Sequence, residues 1–267
     1  MANYQYFYGF KLTDKETGIT KRLSDFGGTV YNPNSDGINK NLLPEPNHIV
    51  DKNENQDGER YVKTTYGTRI IEIPVVFAEK DGGGNLFELN QWLGKKRQQV
   101  FEWEDDDENK EIDVIYQKGF DMDIMFGGQF YGLITLTFIA HNPYWRLKNE
   151  VPSIYKDLKP NDEIKIKNKG NTDCFPLLEI TPIDKSVKIQ WNDLIISLSD
   201  LDKPFYIDCE KERCYEIVGD KHTLNLVKYK SDDYLTFPYL KCDTTNKIKI
   251  LEGNISQIKM FHNTRII

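Results

Sequence analysis

The segment at residues 130–145, FYGLITLTFIAHNPYW, constrains the fold of this chain more than any other stretch. Ile134, Leu136 and Phe138 alternate with two threonines, which is the two-residue period of a strand with one apolar face. Because proline has no N–H to donate and biases the preceding residue away from the helical region, we expect the strand to end before Pro143. The character of the sequence changes beyond this segment. We therefore interpret it as the last strand of a first domain.

The distribution of charge supports a boundary at the same place. Residues 1–145 contain 15 Lys and Arg against 23 Asp and Glu, a net charge of −8, whereas residues 146–267 contain 20 against 19, a net charge of +1. The whole chain has a formal net charge of −7, which argues against a surface that grips nucleic acid. The sequence therefore predicts two domains, over residues 1–145 and 146–267.

The first domain is predicted to be mainly β-sheet. Tyr, Phe and β-branched residues favour strands, and they recur here in short alternating stretches. In one stretch Pro74 lacks the N–H that a ladder needs, so we expect an edge strand or a bulge there. Strands are predicted at Tyr4–Leu12, Ile70–Phe77, Val100–Trp103 and Glu111–Tyr116, with a turn at Asp14–Gly18 and a short strand after that turn.

One helix is predicted in the first domain, from Leu86 to about Lys96. Asn85 can cap its start, because an Asn side chain accepts hydrogen bonds from the first free N–H groups. The basic residues at positions 95–97 suit the negative end of a helix dipole. The apolar stripe at helical spacing comprises Leu86, Leu89 and Leu93, with Trp92 beside it.

Two polar stretches are candidates for contacts with other molecules. Gly27–Gly58 is rich in Asn, Asp, Gly and Pro, which predicts a long loop or mobile arm, with regular structure returning at Tyr66. Such a loop is unusual inside a compact domain, so we expect it to meet another molecule. Glu104–Lys110 is predicted to be the tip of a hairpin.

Residues 146–267 are predicted to form an antiparallel β-sandwich. Short alternating stretches are separated by turns such as the one at Gly253, and no helical pattern is evident. Strands are predicted at Glu163–Lys167, Pro176–Thr181, Ser186–Gln190, Leu194–Leu198, Pro204–Ile207, Cys214–Val218, Lys247–Leu251 and Gln257–Phe261.

The residues that most often carry chemistry form no recognisable constellation. The acidic run Glu104–Glu108 could bind a cation, but its side chains alternate along an extended segment, so a solvated tip is the better interpretation. The three glycines at 82–84 lack the Lys and Ser or Thr of a phosphate-binding loop. The four histidines, His48, His141, His222 and His262, stand apart in the sequence. We predict no enzyme, no catalytic or metal-binding residue and no cofactor.

The four cysteines all lie in the second half of the chain. They form no C-x-x-C pair and have no neighbouring histidine at zinc-finger spacing. We predict reduced and mostly buried thiols, with a zinc site or a disulfide formed after release from the cell as alternatives. These residues are Cys174, Cys209, Cys214 and Cys242.

Several aromatic and amide residues of the second half could stack on sugars. A ring offers a sugar an apolar face, and nearby amides offer hydrogen bonds. The alternative is that these residues belong to the core and rim of an ordinary sandwich. They are Trp191, Asn192, Tyr215, Tyr229, Tyr234 and Tyr239.

No apolar run approaches the roughly 20 residues needed to cross a bilayer, so membrane insertion is not expected. The N-terminal stretch MANYQYFYGF lacks a basic region followed by an apolar one, which argues against a signal peptide. We expect the protein to be made and folded in the cytoplasm.

The order of several short motifs resembles that of the distal tail (Dit) family of long-tailed bacteriophages and related tail-like bacteriocins. The resemblance covers nearly the whole chain. It differs after Leu240, where Lys241-Cys242-Asp243 occupy a turn in which the family tends to have Gly. The matching motifs are Tyr8-Gly9-Phe10, Tyr66-Gly67-Thr68-Arg69 before Ile70–Phe77, the Leu86–Leu93 helix, Gly128–Gly132 before Thr135–Phe138, Asn142-Pro143, Asn168 and Gly170 before Pro176–Ile180, and Phe205–Glu210 before Phe237–Leu240.

The resemblance implies a tail-tube-like first domain that assembles as a hexameric ring, and a galectin-like β-sandwich at its periphery. It implies a structural hub at the tip of a virion tail, through which DNA passes without specific binding. The implied partners are five further copies of the chain, the tail tube protein and a tail-associated hub or lysin protein, with a receptor-binding protein as a further candidate.

A second class of function stays open on the residues alone. The second domain could be a carbohydrate-binding module that acts in adhesion to a host surface. That function predicts a monomer that binds glycans, whereas the structural hub predicts a ring without catalytic activity. A hub whose outer sandwich also touches the cell surface would combine the two functions, but the second half shows no inserted domain that would carry such binding.

Overall fold

The structure is a computed structural model of the chain, and it divides into two compact units. The first comprises the described residues up to Trp145 together with Ile267, and the second comprises Arg146–Ile266. The described residues are 9–30, 43–52, 57–78, 85–104, 109–117, 119, 123–125, 131–219, 221–233 and 235–267.

The first unit is mainly β, with one α-helix among its described residues. One sheet runs in the order β2-β1-β7-β8-β10-β6-β3, and β9 pairs with the start of β10. The elements are β1 (Phe10–Asp14), β2 (Thr20–Arg22), a 3₁₀ turn (Leu23–Phe26), β3 (Gly28–Val30), β4 (Pro46–Asp51), β5 (Arg60–Tyr66), β6 (Arg69–Ala78), α1 (Asn85–Leu93), β7 (Gln99–Trp103), β8 (Lys110–Tyr116), β9 (Asp123–Met125) and β10 (Tyr131–Ala140).

The predicted strand at residues 130–145 is β10, near the middle of this sheet. It pairs antiparallel with β6 from Tyr131 opposite Ala78 to Ala140 opposite Arg69. Its alternating apolar side chains are buried, and the strand ends before Pro143, as the sequence predicts. An edge strand or bulge is predicted at Pro74. On one side Pro74 is paired with Thr135 of β10. On the other side the described part of β3 ends opposite Val75, so no described strand pairs with Pro74 there.

The described part of the first predicted strand overlaps β1, which extends two residues beyond the predicted end at Leu12. β1 begins at Phe10, and residues 4–8 of the predicted strand lie outside the described residues. The predicted turn is present, because the N–H groups of Glu16 and Thr17 bond to the Asp14 carboxylate and that of Gly18 bonds to the Asp14 carbonyl. The predicted short strand after it is β2, which pairs back on β1.

The helix is shorter than predicted. α1 ends at Leu93, and the N–H of Gly94 bonds to the Asn90 carbonyl at 2.8 Å. Glycine after the last apolar position is a common helix end, and this signal outweighs the basic residues that follow. The stripe is confirmed at Leu89 and Leu93, with Trp92 also buried, while the side chains of residues 85 and 86 are outside the description.

The prediction of a long loop over Gly27–Gly58 is wrong for its described parts, while residues 31–42 and 53–56 lie outside the described residues. The stretch contains β3 and β4, and β4 pairs with β5 in a separate two-stranded sheet, so regular structure returns well before Tyr66. Every described residue of β4 is exposed. With no buried face there is no alternation of apolar and polar residues to reveal the strand.

The second unit contains two antiparallel sheets, as predicted. As far as the chain is described, one has the order β12-β22-β14-β17-β18-β19 and the other β13-β21-β15-β16-β20. The strands of these two sheets are β12 (Ser153–Leu158), β13 (Glu163–Lys167), β14 (Leu177–Pro182), β15 (Val187–Trp191), β16 (Leu194–Leu198), β17 (Phe205–Asp208), β18 (Arg213–Val218), β19 (Lys221–Leu224), β20 (Tyr229–Ser231), β21 (Thr245–Glu252) and β22 (Ile255–Phe261). Two further short strands, β11 (Trp145–Leu147) and β23 (Arg265–Ile266), pair with each other outside these sheets.

The two sheets share one apolar core, which makes the unit a β-sandwich. Alternate side chains of both sheets point inward, the arrangement expected when two sheets pack face to face. The inward side chains include Leu178, Ile180, Ile207 and Met260 from the first sheet and Ile164, Ile189, Ile196 and Ile250 from the second. Each strand predicted in this half is present, and the fold class of mainly β with one helix is confirmed.

Candidate functional sites

The β4–β5 hairpin is largely exposed to solvent, as far as the first unit is described. Every residue of β4 and the first four residues of β5 are exposed, yet they include apolar side chains. Tyr61 is 61%, Val62 53%, Ile49 42% and Val50 37% exposed. An isolated two-stranded hairpin is at best marginally stable in water. The exposed apolar residues therefore make this hairpin a candidate contact surface for another chain.

Polar side-chain contacts form within the hairpin, two of them between its two sides and one within β5. His48 Nδ1 lies 2.9 Å from Thr64 Oγ1, and Tyr61 Oη lies 2.9 Å from the same hydroxyl. Lys52 and Glu59 form an ion pair of 2.6 Å at the end where the strands turn. These contacts define one conformation of the pair without covering its apolar side chains.

The basic residues after α1 neutralise a buried carboxylate. Asp14 is almost fully buried, and its Oδ2 lies 3.5 Å from Arg97 and 3.8 Å from Lys95. Burial alone raises the pKa of Asp14, but hydrogen bonds from Thr17 and Glu16 and the two cations outweigh it, so the pKa lies below its ordinary value. These cations therefore act on Asp14, in addition to following the end of α1.

The acidic run predicted at Glu104–Glu108 is described only at its first residue. Glu104 pairs with Arg22 at 3.4 Å. Asp105 to Glu108 and the three glycines at 82–84 lie outside the described residues. Within the described ranges, no group of three or more His, Cys, Asp or Glu side chains is placed to hold a metal ion. No helix in those ranges is long and apolar enough to span a bilayer.

The second unit carries a cleft of about 350 Å³ that brings together part of the predicted aromatic and amide set. Trp191, Asn192 and Tyr239 line it, while Tyr229 is buried in the core and Tyr215 lies on the other sheet. Tyr234 is outside the described residues. The lining residues are Trp191, Asn192, Asp193, Leu194, Asp232, Asp233, Thr236, Phe237, Pro238, Tyr239 and Lys241.

Tyr215 belongs to a row of stacked rings across three strands. Its ring centroid is 5.0 Å from that of Tyr206 and 4.6 Å from that of His222, with nearly parallel planes. The rings cover one another, so the row works as cross-strand packing on the sheet surface. Burial and the nearby Glu179 raise the pKa of Tyr206.

Three of the four cysteines are buried, as predicted, and Cys242 is half-buried. Burial raises the pKa of Cys174 and of Cys214 to about 12 and that of Cys209 well above its ordinary value. Since the thiolate is the reactive form, these thiols are unreactive near neutral pH.

The histidines have different surroundings, and the described residues do not form a catalytic set around them. His48 lies on β4 and His222 on β19. His262 is buried, and its Nε2 lies 2.7 Å from Ser153 Oγ. Burial lowers the pKa of His262, with Lys169 acting in the same direction and Glu150 against it. A neutral imidazole at this position is a structural hydrogen-bond partner.

The fold defines a two-unit, mainly β protein with an exposed hairpin on one unit and a β-sandwich as the other. The Dit protein of phage SPP1, described as a paradigm of the hub adsorption apparatus in phages that infect Gram-positive bacteria, has the same fold. The two structures agree with a TM-score of 0.67 at 13% sequence identity, over 94% of this chain and 98% of that one.

A chain of the phage P2 baseplate in its activated conformation with Ca is also similar, with a TM-score of 0.51 at 10% identity over 95% of this chain and 97% of that one. No protein-family model and no curated protein matches the sequence. The Dit-like fold expected from the order of motifs is confirmed by structure.

Proposed function

We propose that this protein is a structural hub at the tail tip of a phage or a phage-tail-like particle. The observation that carries the proposal is the similarity of fold to the SPP1 Dit protein over 94% of the chain, which includes both units and their order. Because fold alone does not define function, the exposed surfaces of this chain must supply the rest of the argument.

In this proposal the first unit is tail-tube-like and assembles as a hexameric ring. The β4–β5 hairpin is the contact arm, because its apolar side chains lose their exposure only when a neighbouring molecule covers them. The predicted hairpin tip at Glu104–Lys110 is a second candidate arm. The second unit is the peripheral domain, and it is galectin-like in having two antiparallel sheets.

The charge of the first unit fits a channel that lets DNA pass. A wall that must not retain DNA should be neutral or should repel phosphate. Residues 1–145 carry 23 Asp and Glu against 15 Lys and Arg. Substituting Lys for acids on the channel wall should therefore slow DNA ejection, while unchanged ejection would contradict the proposed lining.

The proposed partners are the tail tube protein on one side of the ring and a tail-associated hub or lysin protein on the other, with a receptor-binding protein as a further candidate. The role is not enzymatic. Its place is the virion tail tip, after assembly in the host cytoplasm.

A carbohydrate-binding module that works alone remains the alternative, and it predicts a monomer in place of a ring.

Immunogold labelling tests the proposed location. Particles that encode the protein are purified, and antibodies raised against the recombinant chain are visualised by electron microscopy. Gold at the distal end of the tail is the expected result. Labelling of the head, or particles that never contain the chain, would overturn the proposal.

A further inference from the structure

The cleft of the second unit has the volume of a small-ligand site. Its volume of about 350 Å³ lies at the lower end of the roughly 300–1,000 Å³ that such sites occupy. Its walls come from two segments that are distant in sequence, the turn between β15 and β16 and the segment that follows β20.

Hydrogen bonds fix the walls of the cleft before any ligand arrives. Trp191 Nε1 donates to the carbonyl of Tyr239 at 2.9 Å, which ties one wall to the other. The Tyr229 hydroxyl donates to the carbonyl of Thr236 at 2.6 Å, and the N–H of Ile195 donates to Asp232 Oδ1 at 3.0 Å. A preformed cleft costs little ordering on binding, which favours affinity for a small ligand.

Aromatic rings supply an apolar wall. Phe237 lies flat on the buried Tyr229, with ring centroids 4.9 Å apart and planes 5° apart. That contact covers one face of Phe237, and the residue, which lines the cleft, is only half-buried. Tyr239 lines the cleft beside it and is also half-buried.

Polar groups with acceptor capacity surround this apolar wall. Asp193, Asp232 and Asp233 line the cleft together with one cation, Lys241. Lys241 Nζ lies 3.8 Å from Asp193, in an exposed pair that contributes little to stability. The carboxylates of Asp232 and Asp233 are exposed and can accept hydrogen bonds from a ligand.

We propose that this cleft binds a saccharide, with a sugar ring against Phe237 and Tyr239 and its hydroxyl groups donating to Asp232 and Asp233. Sugar rings combine an apolar face with a rim of hydroxyl donors, which is the pattern that this cleft complements. The surplus of negative charge selects against acidic sugars, and a free amino group on the sugar increases the affinity.

This inference does not depend on the hub role. A hub that forms a ring could carry the site on each peripheral domain, and a monomer could carry it alone. Binding and assembly are therefore tested separately, and either result can fail without the other.

Saturation-transfer difference NMR on the full-length protein tests the site, because it reports weak binding to monomers and rings alike. The probes are the methyl glycosides of glucose, galactose and N-acetylglucosamine, together with glucosamine, glucuronate and ethanolamine, each at about 10 mM, where Kd values on the order of 1 mM are visible. We expect transfer to at least one neutral sugar, stronger transfer to glucosamine than to glucose, and none to glucuronate.

Two variants place the binding in the cleft. Asp233→Asn removes one exposed acceptor, and Tyr239→Ala removes part of the apolar wall. Each is expected to weaken binding of the best sugar at least about tenfold, which corresponds to about 1.4 kcal/mol. The control is Asp157→Asn, which removes a carboxylate that is also exposed, on β12, and should leave binding unchanged. Thermal melts establish that each variant is folded, and Asp233→Asn keeps the test valid if Tyr239→Ala fails to fold.

Three results would overturn the inference. The first is that no neutral or amino sugar shows transfer. The second is that both cleft variants bind as the unaltered protein does, which places the sugar elsewhere. The third is that ethanolamine binds as strongly as glucosamine, which makes the cleft a site for amines.

Discussion

Arg69 and Pro143 are joined by a hydrogen bond in the interior of the first unit. The Arg69 Nε donates to the Pro143 carbonyl at 2.9 Å, and the guanidinium carbon lies 5.8 Å from the centre of the Trp145 ring. The bond connects the start of β6 with the segment after β10. Burial lowers the pKa of Arg69 to about 10, so the side chain remains charged near neutral pH.

Replacing Arg69 should destabilise the first unit. Arg69→Ala leaves the Pro143 carbonyl without this donor and opens a cavity, so we expect the free energy of unfolding to fall by about 2–4 kcal/mol. Urea unfolding followed by circular dichroism measures the change. Arg60→Ala, on the exposed strand β5, is the control and should change stability by less than about 0.5 kcal/mol. If the two substitutions lowered the free energy of unfolding by the same amount, the hydrogen bond between Arg69 and Pro143 would not contribute to stability.

His262 should make the second unit sensitive to mild acid. Its pKa in the folded protein is lowered, so the unfolded chain binds the proton more readily, and stability falls as pH decreases below about 6.5. We expect the melting temperature to fall between about pH 7.5 and pH 5.5, and to fall less in His262→Gln. The exposed His222 provides the control, because His222→Gln should keep the slope of the unaltered protein. A slope that is the same in all three proteins would refute this role for His262.

The ionised carboxylate of Asp14 should stabilise the fold at pH values above the range in which Asp14 titrates. Its folded-state pKa is lowered, so its stabilising effect is present above the unfolded pKa of about 3.9 and is lost as pH falls through the lower folded value. Asp14→Asn should therefore melt at a lower temperature than the unaltered protein at pH 7, and the two melting temperatures should converge toward pH 2. A constant difference across that range would mean that the charge of Asp14 is not the cause.

The β4–β5 hairpin should be required for assembly. The double substitution Tyr61→Asp with Val62→Asp places charges on both faces of the hairpin, where a neighbouring subunit would have to bury them. We expect light scattering after size exclusion to show a smaller species than for the unaltered protein. Val227→Asp is the matched control, because Val227 is 85% exposed on the second unit. If the double variant retained the mass of a six-subunit species, the hairpin would not be the contact arm.

The predictable parts of this fold are those with one buried face. In β13 buried side chains alternate with exposed ones, and in β16 they alternate with half-buried ones after Leu194; the predicted bounds, Glu163–Lys167 and Leu194–Leu198, are the observed ones. The hairpin of β4 and β5 and the edge strand β19 escaped prediction because their side chains are exposed on both faces or nearly so. Such segments are stabilised by hydrogen bonds between paired strands. Because neither face is buried, their apolar residues show no alternation from which the strands could be predicted.

The candidate cleft was predictable only in part. Trp191, Asn192 and Tyr239 stand out as aromatic and amide residues near predicted turns, and the structure places all three on the cleft. The contribution of Asp232 and Phe237 depends on β20 pairing with β16, which brings distant segments together. The pairing of β20 with β16 could not be predicted from the sequence alone.

Negative-stain electron microscopy of the purified protein at high concentration tests the hub assignment most directly. Rings of six subunits around an open channel are the expected result. Single molecules in every field, both for the protein alone and after mixing with the tail proteins of the same particle, would contradict the assignment.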